Sequence, residues 1–93
     1  MKELNSVLIE GIVGEPYYQE YGGSEVMEFV LRNKIGKEEN PMLVRVMDMS
    51  LQKRLTSLKA GRGVRVVGQI ISWEIAITKF VFRIEAYHVE VKP

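Results

Sequence analysis

Apolar and polar residues along this chain form five segments of β type and one segment of helical type. β-Branched and aromatic residues that partly alternate with polar ones predict strands at 5–14, 24–33, 42–49, 64–73 and 80–91. Leu51, Leu55 and Leu58 recur at helical spacing, with Ser50 as a candidate N-cap and Gly61 as the end of the helix. The predicted helix therefore lies between the third and the fourth strand.

Glycines and a change of phase mark the predicted irregularities. Residues 17–23 predict a turn-rich connection that ends in a glycine pair, and residues 34–41 predict a charged loop. Gly11 and Gly68 lie inside predicted strands, where glycine commonly marks a bend or a bulge. The alternation of the last strand shifts near Tyr87 and His88, which predicts a further bulge.

The order of these elements predicts the fold. Five strands with one helix between the third and the fourth are typical of the OB-fold, a mainly all-β, five-stranded Greek-key barrel that commonly binds oligonucleotides on an open face. A length of 93 residues suits one small core, so residues 1–93 are expected to form a single domain.

The charges are unevenly distributed although the formal net charge is only +1. Residues 1–31 contain six acids and one base, whereas residues 32–65 contain nine bases and three acids. This asymmetry has two interpretations: an anion-binding face, or strands that pair acids against bases across the sheet.

The composition offers little for catalysis. Cysteine is absent and His88 is the only histidine, so neither a thiolate site nor a histidine-rich metal site can form. The acids follow no acid–base motif, and the sequence Gly61-Arg62-Gly63 is too short for a phosphate loop. We therefore expect a protein that is not an enzyme and that uses no cofactor or metal.

No segment has the pattern of a membrane or export sequence. The apolar run after the polar N-terminus is interrupted by Glu10, so no secretory signal is predicted. No stretch approaches the roughly 18 to 20 apolar residues that a spanning helix needs. A cytoplasmic protein without a membrane partner is expected.

Four segments carry a resemblance to a known family. They are Asn5-x-Val7-Leu8-Ile9-x-Gly11-x-Val13-Gly14-Glu15-Pro16, Gly23-x-x-Val26-x-x-Phe29-x-Leu31, Val44-Arg45-Val46 and Lys59-Ala60-Gly61-x-x-Val64-x-Val66-x-Gly68-Gln69-Ile70. In this order they resemble the bacterial single-stranded DNA-binding proteins over almost the whole chain. The resemblance implies binding of single-stranded DNA with little sequence preference, in replication, repair or recombination. It also implies a nucleoid-associated homotetramer or homodimer, with replication or repair proteins as further partners.

The chain departs from that family at several places. Leu43 and Met49 stand where typical members carry a base-stacking Trp and Phe, so weaker binding is expected. The sequence ends at Lys92-Pro93 without the acidic tip through which the family recruits partners. A tail-less variant is therefore expected, and primosomal replication protein N, a tail-less relative, is a neighbouring interpretation.

Binding without sequence preference requires cations along the phosphates and flat side chains against the bases. Trp73 is the first candidate platform, and core or interface packing is its alternative role. Arg45 is the cation that best matches the family. The complete set of candidate residues for binding single-stranded DNA is Tyr17, Tyr18, Tyr21, Arg32, Lys34, Lys37, Arg45, Trp73 and Lys79. Phe29, Phe82 and Tyr87 are instead expected in the core or at a subunit contact.

Two other functions stay open on the sequence alone. One is an OB-fold protein-interaction module of the replication or primosome machinery with weak nucleic-acid binding, which the replacements at Leu43 and Met49 favour. The other is binding of RNA, because no feature of the sequence reads the presence or absence of a 2′-hydroxyl group.

Overall fold

The computed structural model describes residues 3–93, and these form six strands and one short helix. The strands are β1 (Val7–Val13), β2 (Tyr17–Tyr21), β3 (Ser24–Ile35), β4 (Glu38–Val46), β5 (Gly63–Ala76) and β6 (Lys79–Val91). The helix, α1 (Met49–Arg54), lies between β4 and β5.

Five of the strands close into a barrel. The neighbours run β1–β5–β6–β4–β3, and β3 returns to β1 through the pairs Ile12–Arg32 and Val13–Leu31. The strand β2 lies outside this ring and pairs with the first half of β3. The predicted five-stranded OB-fold barrel, with its helix before the fourth barrel strand, is confirmed.

Two segments that the sequence predicted as connections are strands. Residues 17–21 form β2, and its five side chains are all exposed, so no buried alternation marked it as a strand. The positive φ angles of Gly22 and Gly23 make the turn into β3. The predicted loop at 34–41 was also wrong, because β3 and β4 continue as a hairpin to a turn at Gly36.

Alternate residues of the barrel strands form the core. The buried cluster contains Val13, Met27, Phe29, Leu31, Val44, Val46, Leu51, Leu55, Leu58, Val64, Val66, Ile84, Ala86 and Val89. Of the three leucines that predicted the helix, only Leu51 lies within it; Leu55 is its C-cap and Leu58 follows it, and all three are buried in this cluster. Phe29 is in the core as expected, whereas Phe82 and Tyr87 are 49% and 56% exposed and contribute nothing to it.

Glycine and a bulge allow the strands to close tightly. A Cβ atom at Gly11 would lie 2.5 Å from the carbonyl oxygen of Arg32, so the β1–β3 closure requires glycine there. On β6 the predicted bulge is confirmed: Val67 faces His88 and Gly68 faces Ala86, which leaves Tyr87 without a partner.

The helix is shorter than predicted and begins differently. Asp48, not Ser50, is the N-cap, and its carboxylate accepts a 2.9 Å hydrogen bond from the backbone N–H of Ser50. The regular helix ends at Arg54, seven residues before the predicted end at Gly61. The buried side chain of Gln52 donates to the carbonyl oxygens of Glu25 and Val46, which fixes α1 against β3 and β4.

Candidate nucleic-acid interface

Two hairpins border an open face on the outside of the barrel. The strands β4 and β6 run parallel but pair only at Val44–Ile84 and Arg45–Glu85. The β3–β4 and β5–β6 hairpins extend from this junction toward the same end, to turns at Gly36 and Thr78. We call the outward surface of β2, β3, β4, β6 and the distal half of β5 the outer face.

A row of polar residues crosses the outer face at the junction. Cross-strand register places Gln69, Glu85, Arg45, Glu28 and Tyr17 side by side on five neighbouring strands. Because cross-strand partners point to the same side of a sheet, these five side chains share one surface. The alternate positions of the same strands point into the core.

Glu28 and Arg45 of this row form one cluster with Tyr21. The Arg45 Nε donates to Glu28 Oε2 at 2.7 Å, and the two side chains are only 14% and 2% exposed. The Arg45 guanidinium lies 4.3 Å from the centroid of the Tyr21 ring, within cation–π range. Burial, followed by the charge of Glu28, raises the pKa of the neighbouring Tyr17 hydroxyl above its usual value.

Glu85, Arg83 and Trp73 form a second cluster, which again combines a glutamate, an arginine and an aromatic ring. The Arg83 Nη2 lies 3.0 Å from Glu85 Oε1, and its guanidinium lies 5.3 Å from the Trp73 ring centroid. Gln69 Nε2 donates to the other oxygen of Glu85 at 3.3 Å. The indole of Trp73 keeps 44% of its surface exposed, so it is available to a ligand.

The remaining cations of the predicted set lie toward the hairpin tips. Lys34 is the penultimate residue of β3, Lys37 lies in the turn that follows, and Lys79 begins β6 after the other turn. Within residues 3–93 none of these three lysines forms an ion pair, whereas Arg32 pairs with Glu39 at 3.4 Å. The three lysines therefore form a basic rim on an outer face whose arginines are already paired.

The structure brings most of the predicted residues together but separates one. Tyr17 and Tyr21 point to the outer face with Glu28, whereas Tyr18 pairs with Met27 and points to the opposite side of the sheet. Sequence reasoning missed Glu28, Gln69, Arg83 and Glu85. A partial signal was present, since buried residues flank Glu28 on β3 and Glu85 on β6.

Cross-strand pairing accounts for part of the charge asymmetry. Glu10 on β1 pairs with Arg65 at 2.9 Å and with Lys92 at 2.8 Å, as Glu28 pairs with Arg45. The hydrogen bond from Lys92 and then that from Arg65 hold the pKa of Glu10 below its usual value. An open cleft of about 580 Å³ near Glu10, Lys34 and Arg62 lies at the β1–β3 closure, away from the two clusters.

Two further findings apply to residues 3–93. No group of three or more His, Cys, Asp or Glu side chains is placed so that it could hold a metal ion. No helix in this range has the length and apolar character needed to cross a membrane.

This chain is similar to known proteins at the level of structure. No protein-family model matches the sequence, and no curated protein matches it either. Solved structures do match. The single-stranded DNA-binding protein of Plasmodium falciparum, solved in complex with single-stranded DNA, superposes with a TM-score of 0.81 at 20% identity, covering 100% of this chain and 98% of that one.

Two other structures agree. The mitochondrial single-stranded DNA-binding protein Rim1 of S. cerevisiae has a TM-score of 0.84 at 12% identity and 96% coverage of both chains. The dimeric N-terminal domain of PriB from Thermoanaerobacter tencongensis has a TM-score of 0.72 at 20% identity, covering 96% of this chain and 97% of that one. The chain has the fold of these proteins. The fold that the sequence resemblance implied is thereby confirmed.

Proposed function

We propose that this chain binds single-stranded DNA across the outer face with little sequence preference, and that it does so without catalysing a reaction. The observation that carries the proposal is the combination of exposed aromatic rings at the junction with rim lysines that form no ion pair within residues 3–93. Rings stack on any base, and lysines attract any phosphate, so this arrangement favours binding that is tolerant of sequence.

The position of the rings supports this proposal. Trp73 and Tyr21 lie on opposite sides of the β4–β6 junction, each exposed and each held beside a guanidinium. Each stacked base contributes about 1–3 kcal/mol. The Plasmodium falciparum protein of the same fold was solved with single-stranded DNA bound, which adds support from outside this chain.

Weaker binding than that of typical members follows from two neighbouring residues. Leu43 is on the outer face, two residues before Arg45, and Met49 is exposed at the start of α1. Neither can offer a flat ring to a base. Two of the usual stacking contacts are therefore replaced by flexible aliphatic contact.

Self-association and a cellular role belong to the same proposal. Along residues 7–9 one edge of β1 has no strand partner within residues 3–93, and Leu8 on this segment is exposed. An exposed strand edge with apolar side chains favours pairing with a second copy. We infer a homodimer or homotetramer that acts in replication, repair or recombination, in the cytoplasm and associated with the nucleoid.

The test is titration of the full chain with single-stranded oligo-dT and with oligo-rU while Trp73 fluorescence is followed. Trp73 is the only tryptophan, so the signal reports the outer face directly. We expect saturable quenching by the DNA. An absence of quenching, together with no retention of DNA by the protein at low salt, would contradict the proposal. Equal affinity for the two polymers would extend the ligand class to RNA.

One observation favours a second function, that of a protein-interaction module. The distal β5–β6 hairpin exposes Ile75, Ile77, Phe80 and Phe82, an apolar surface of the kind that marks interaction sites. This interpretation predicts partner binding that survives DNase treatment and is lost in Phe80→Ser. The matched change Tyr87→Ser, which lies outside the hairpin's distal half, should leave such binding intact.

A further inference from the structure

Two clusters on the outer face repeat one arrangement. In each, a glutamate carboxylate holds an arginine, and the arginine lies over an aromatic ring: Glu28, Arg45 and Tyr21 in one, Glu85, Arg83 and Trp73 in the other. The first cluster spans β2, β3 and β4, the second spans β5 and β6, and they lie on either side of the β4–β6 junction. The repetition indicates that the two arginines have a common role.

The charge of Arg45 is already neutralised by an ion pair. Its partner Glu28 is 2% exposed and accepts at 2.7 Å. A phosphate that took Arg45 would leave this carboxylate buried without its counter-ion, which is strongly unfavourable. In addition, the Tyr21 ring covers one side of the guanidinium plane. Arg45 is therefore poorly placed to bind a phosphate.

Arg83 is limited in the same way. Its side chain is 17% exposed, and Glu85 occupies one of its terminal nitrogens. The Nε of Arg83 is buried and finds no hydrogen-bond partner among residues 3–93, so this N–H is not presented to solvent. An arginine that binds a phosphate through two parallel N–H groups must have both groups accessible to solvent, and Arg83 does not.

Both arginines place a planar guanidinium group beside an aromatic ring. A guanidinium over one face of an aromatic ring restricts the ring's rotation and leaves the other face free. Tyr21 and Trp73 remain 43% and 44% exposed in this arrangement. A ring that is already oriented loses less conformational entropy when a base stacks on it.

We propose that Arg45 and Arg83 are positioning residues: each orients an aromatic platform, Tyr21 or Trp73, while Glu28 or Glu85 neutralises its charge and directs the phosphates to the rim lysines. The proposal rests on the proposed function and makes it more specific. Bases pass over the two clusters, and the phosphate backbone follows Lys34, Lys37 and Lys79.

The test compares how binding of oligo-dT depends on salt in Arg83→Gln and in Lys79→Gln. We expect Arg83→Gln to weaken binding about five- to tenfold, because the indole of Trp73 is no longer held in place for stacking on a base. The slope of log K against log salt should stay unchanged. Lys79→Gln should flatten that slope by about 0.7, the contribution of one phosphate on a single strand. Lys53→Gln, on the exposed side of α1, is the control for removing one positive charge elsewhere.

Two further variants give readouts that a merely structural role would not produce. Arg83→Lys keeps the positive charge but removes the planar guanidinium group, so this variant should bind oligo-dT as weakly as Arg83→Gln does. Glu85→Gln releases Arg83 to bind phosphate and should steepen the slope, whereas Glu90→Gln on the same strand should not. In the free protein, Arg83→Gln should also make the indole of Trp73 more mobile in time-resolved fluorescence anisotropy.

The outcomes separate this inference from the function on which it rests. A slope flattened by about 0.7 in Arg83→Gln, full rescue by Arg83→Lys, or unchanged indole mobility would overturn the positioning role alone. Failure of the unaltered chain to bind oligo-dT would overturn the proposed function and this inference together. Circular dichroism of each variant shows whether the fold is retained.

Discussion

Glu28 is the side chain whose burial is hardest to reconcile with its chemistry. It lies on the outer face, yet it is almost inaccessible to water, and Arg45 is its ion-pair partner. A buried carboxylate needs such a partner, because desolvation without compensation is costly. The pair therefore fixes the register of β3 against β4 at the centre of the proposed interface.

Removal of one partner should destabilise the fold. We predict that Arg45→Met lowers the free energy of unfolding by about 3 kcal/mol, because Glu28 is left buried and unpaired. Urea denaturation followed by circular dichroism measures the loss. The double variant Glu28→Met/Arg45→Met should recover most of it. A single variant as stable as the unaltered chain would show that the pair contributes nothing.

Glu10 contributes to the dependence of stability on pH in acid. Lys92 and Arg65 hold its pKa below the ordinary value of 4.5. A carboxylate with a lowered pKa contributes stability above its unfolded-state pKa and loses that contribution as the pH falls. We predict that Glu10→Gln flattens the loss of stability below about pH 4.5, measured as melting temperature against pH. Glu90→Gln is the control, and an unchanged acid profile in Glu10→Gln would contradict the prediction.

At the level of elements, residue patterns predicted the barrel strands because each has a buried side that imposes alternation. Phe29 and Leu31 on β3 and Val64 and Val66 on β5 all point inward and are buried. The strand β2 was missed for the same reason, since none of its residues is buried. Its strand structure comes from pairing with β3, which a local pattern does not show.

The two hairpins of the outer face turn in different ways. Gly36 adopts a φ of 61° in the β3–β4 turn, and glycine takes this left-handed conformation without strain. Thr78 adopts a φ of 62° in the β5–β6 turn, although it is β-branched and disfavours that conformation. The β5–β6 tip, close to Lys79 and the exposed apolar residues, therefore stores backbone strain.

Exchange of these residues should have opposite effects on stability. We predict that Thr78→Gly raises the free energy of unfolding by about 1 kcal/mol, because the unfavourable contact of Cβ with the backbone is removed. Gly36→Thr, the matched change in the other turn, should lower it by a similar amount. Chemical denaturation of both variants checks this. A destabilised Thr78→Gly would show that the strain is compensated locally.

At the scale of the whole molecule, the sequence predicted the kind of fold more completely than the site. Tyr17, Tyr21, Arg45 and Trp73 do share one surface, because strand order and alternation bring them there. The ion pairs that occupy Arg45 and Arg83 were missed. The pair of Arg45 with Glu28 depends on the register of the β3–β4 hairpin, whereas Arg83 and Glu85 lie two residues apart on the same side of β6.

Because the rim lysines and not the arginines are proposed to bind phosphates, the salt dependence of DNA binding is the quantity that tests the proposal. Three rim lysines have no ion-pair partner within residues 3–93, so about three phosphates are expected to be neutralised, with a slope of log K against log salt near −2. If Arg32, Arg45 and Arg83 also bound phosphates, the slope would approach about −4. The two values are far enough apart to be distinguished.

The most direct measurement is therefore the binding of oligo-dT to the unaltered chain, followed through Trp73 fluorescence at several salt concentrations. We predict saturable quenching, with a slope near −2 from the factor of about −0.7 per phosphate. A slope near −4 would contradict the division between base-stacking clusters and rim lysines. An absence of quenching and of salt-dependent retention would contradict the claim that the outer face binds single-stranded DNA.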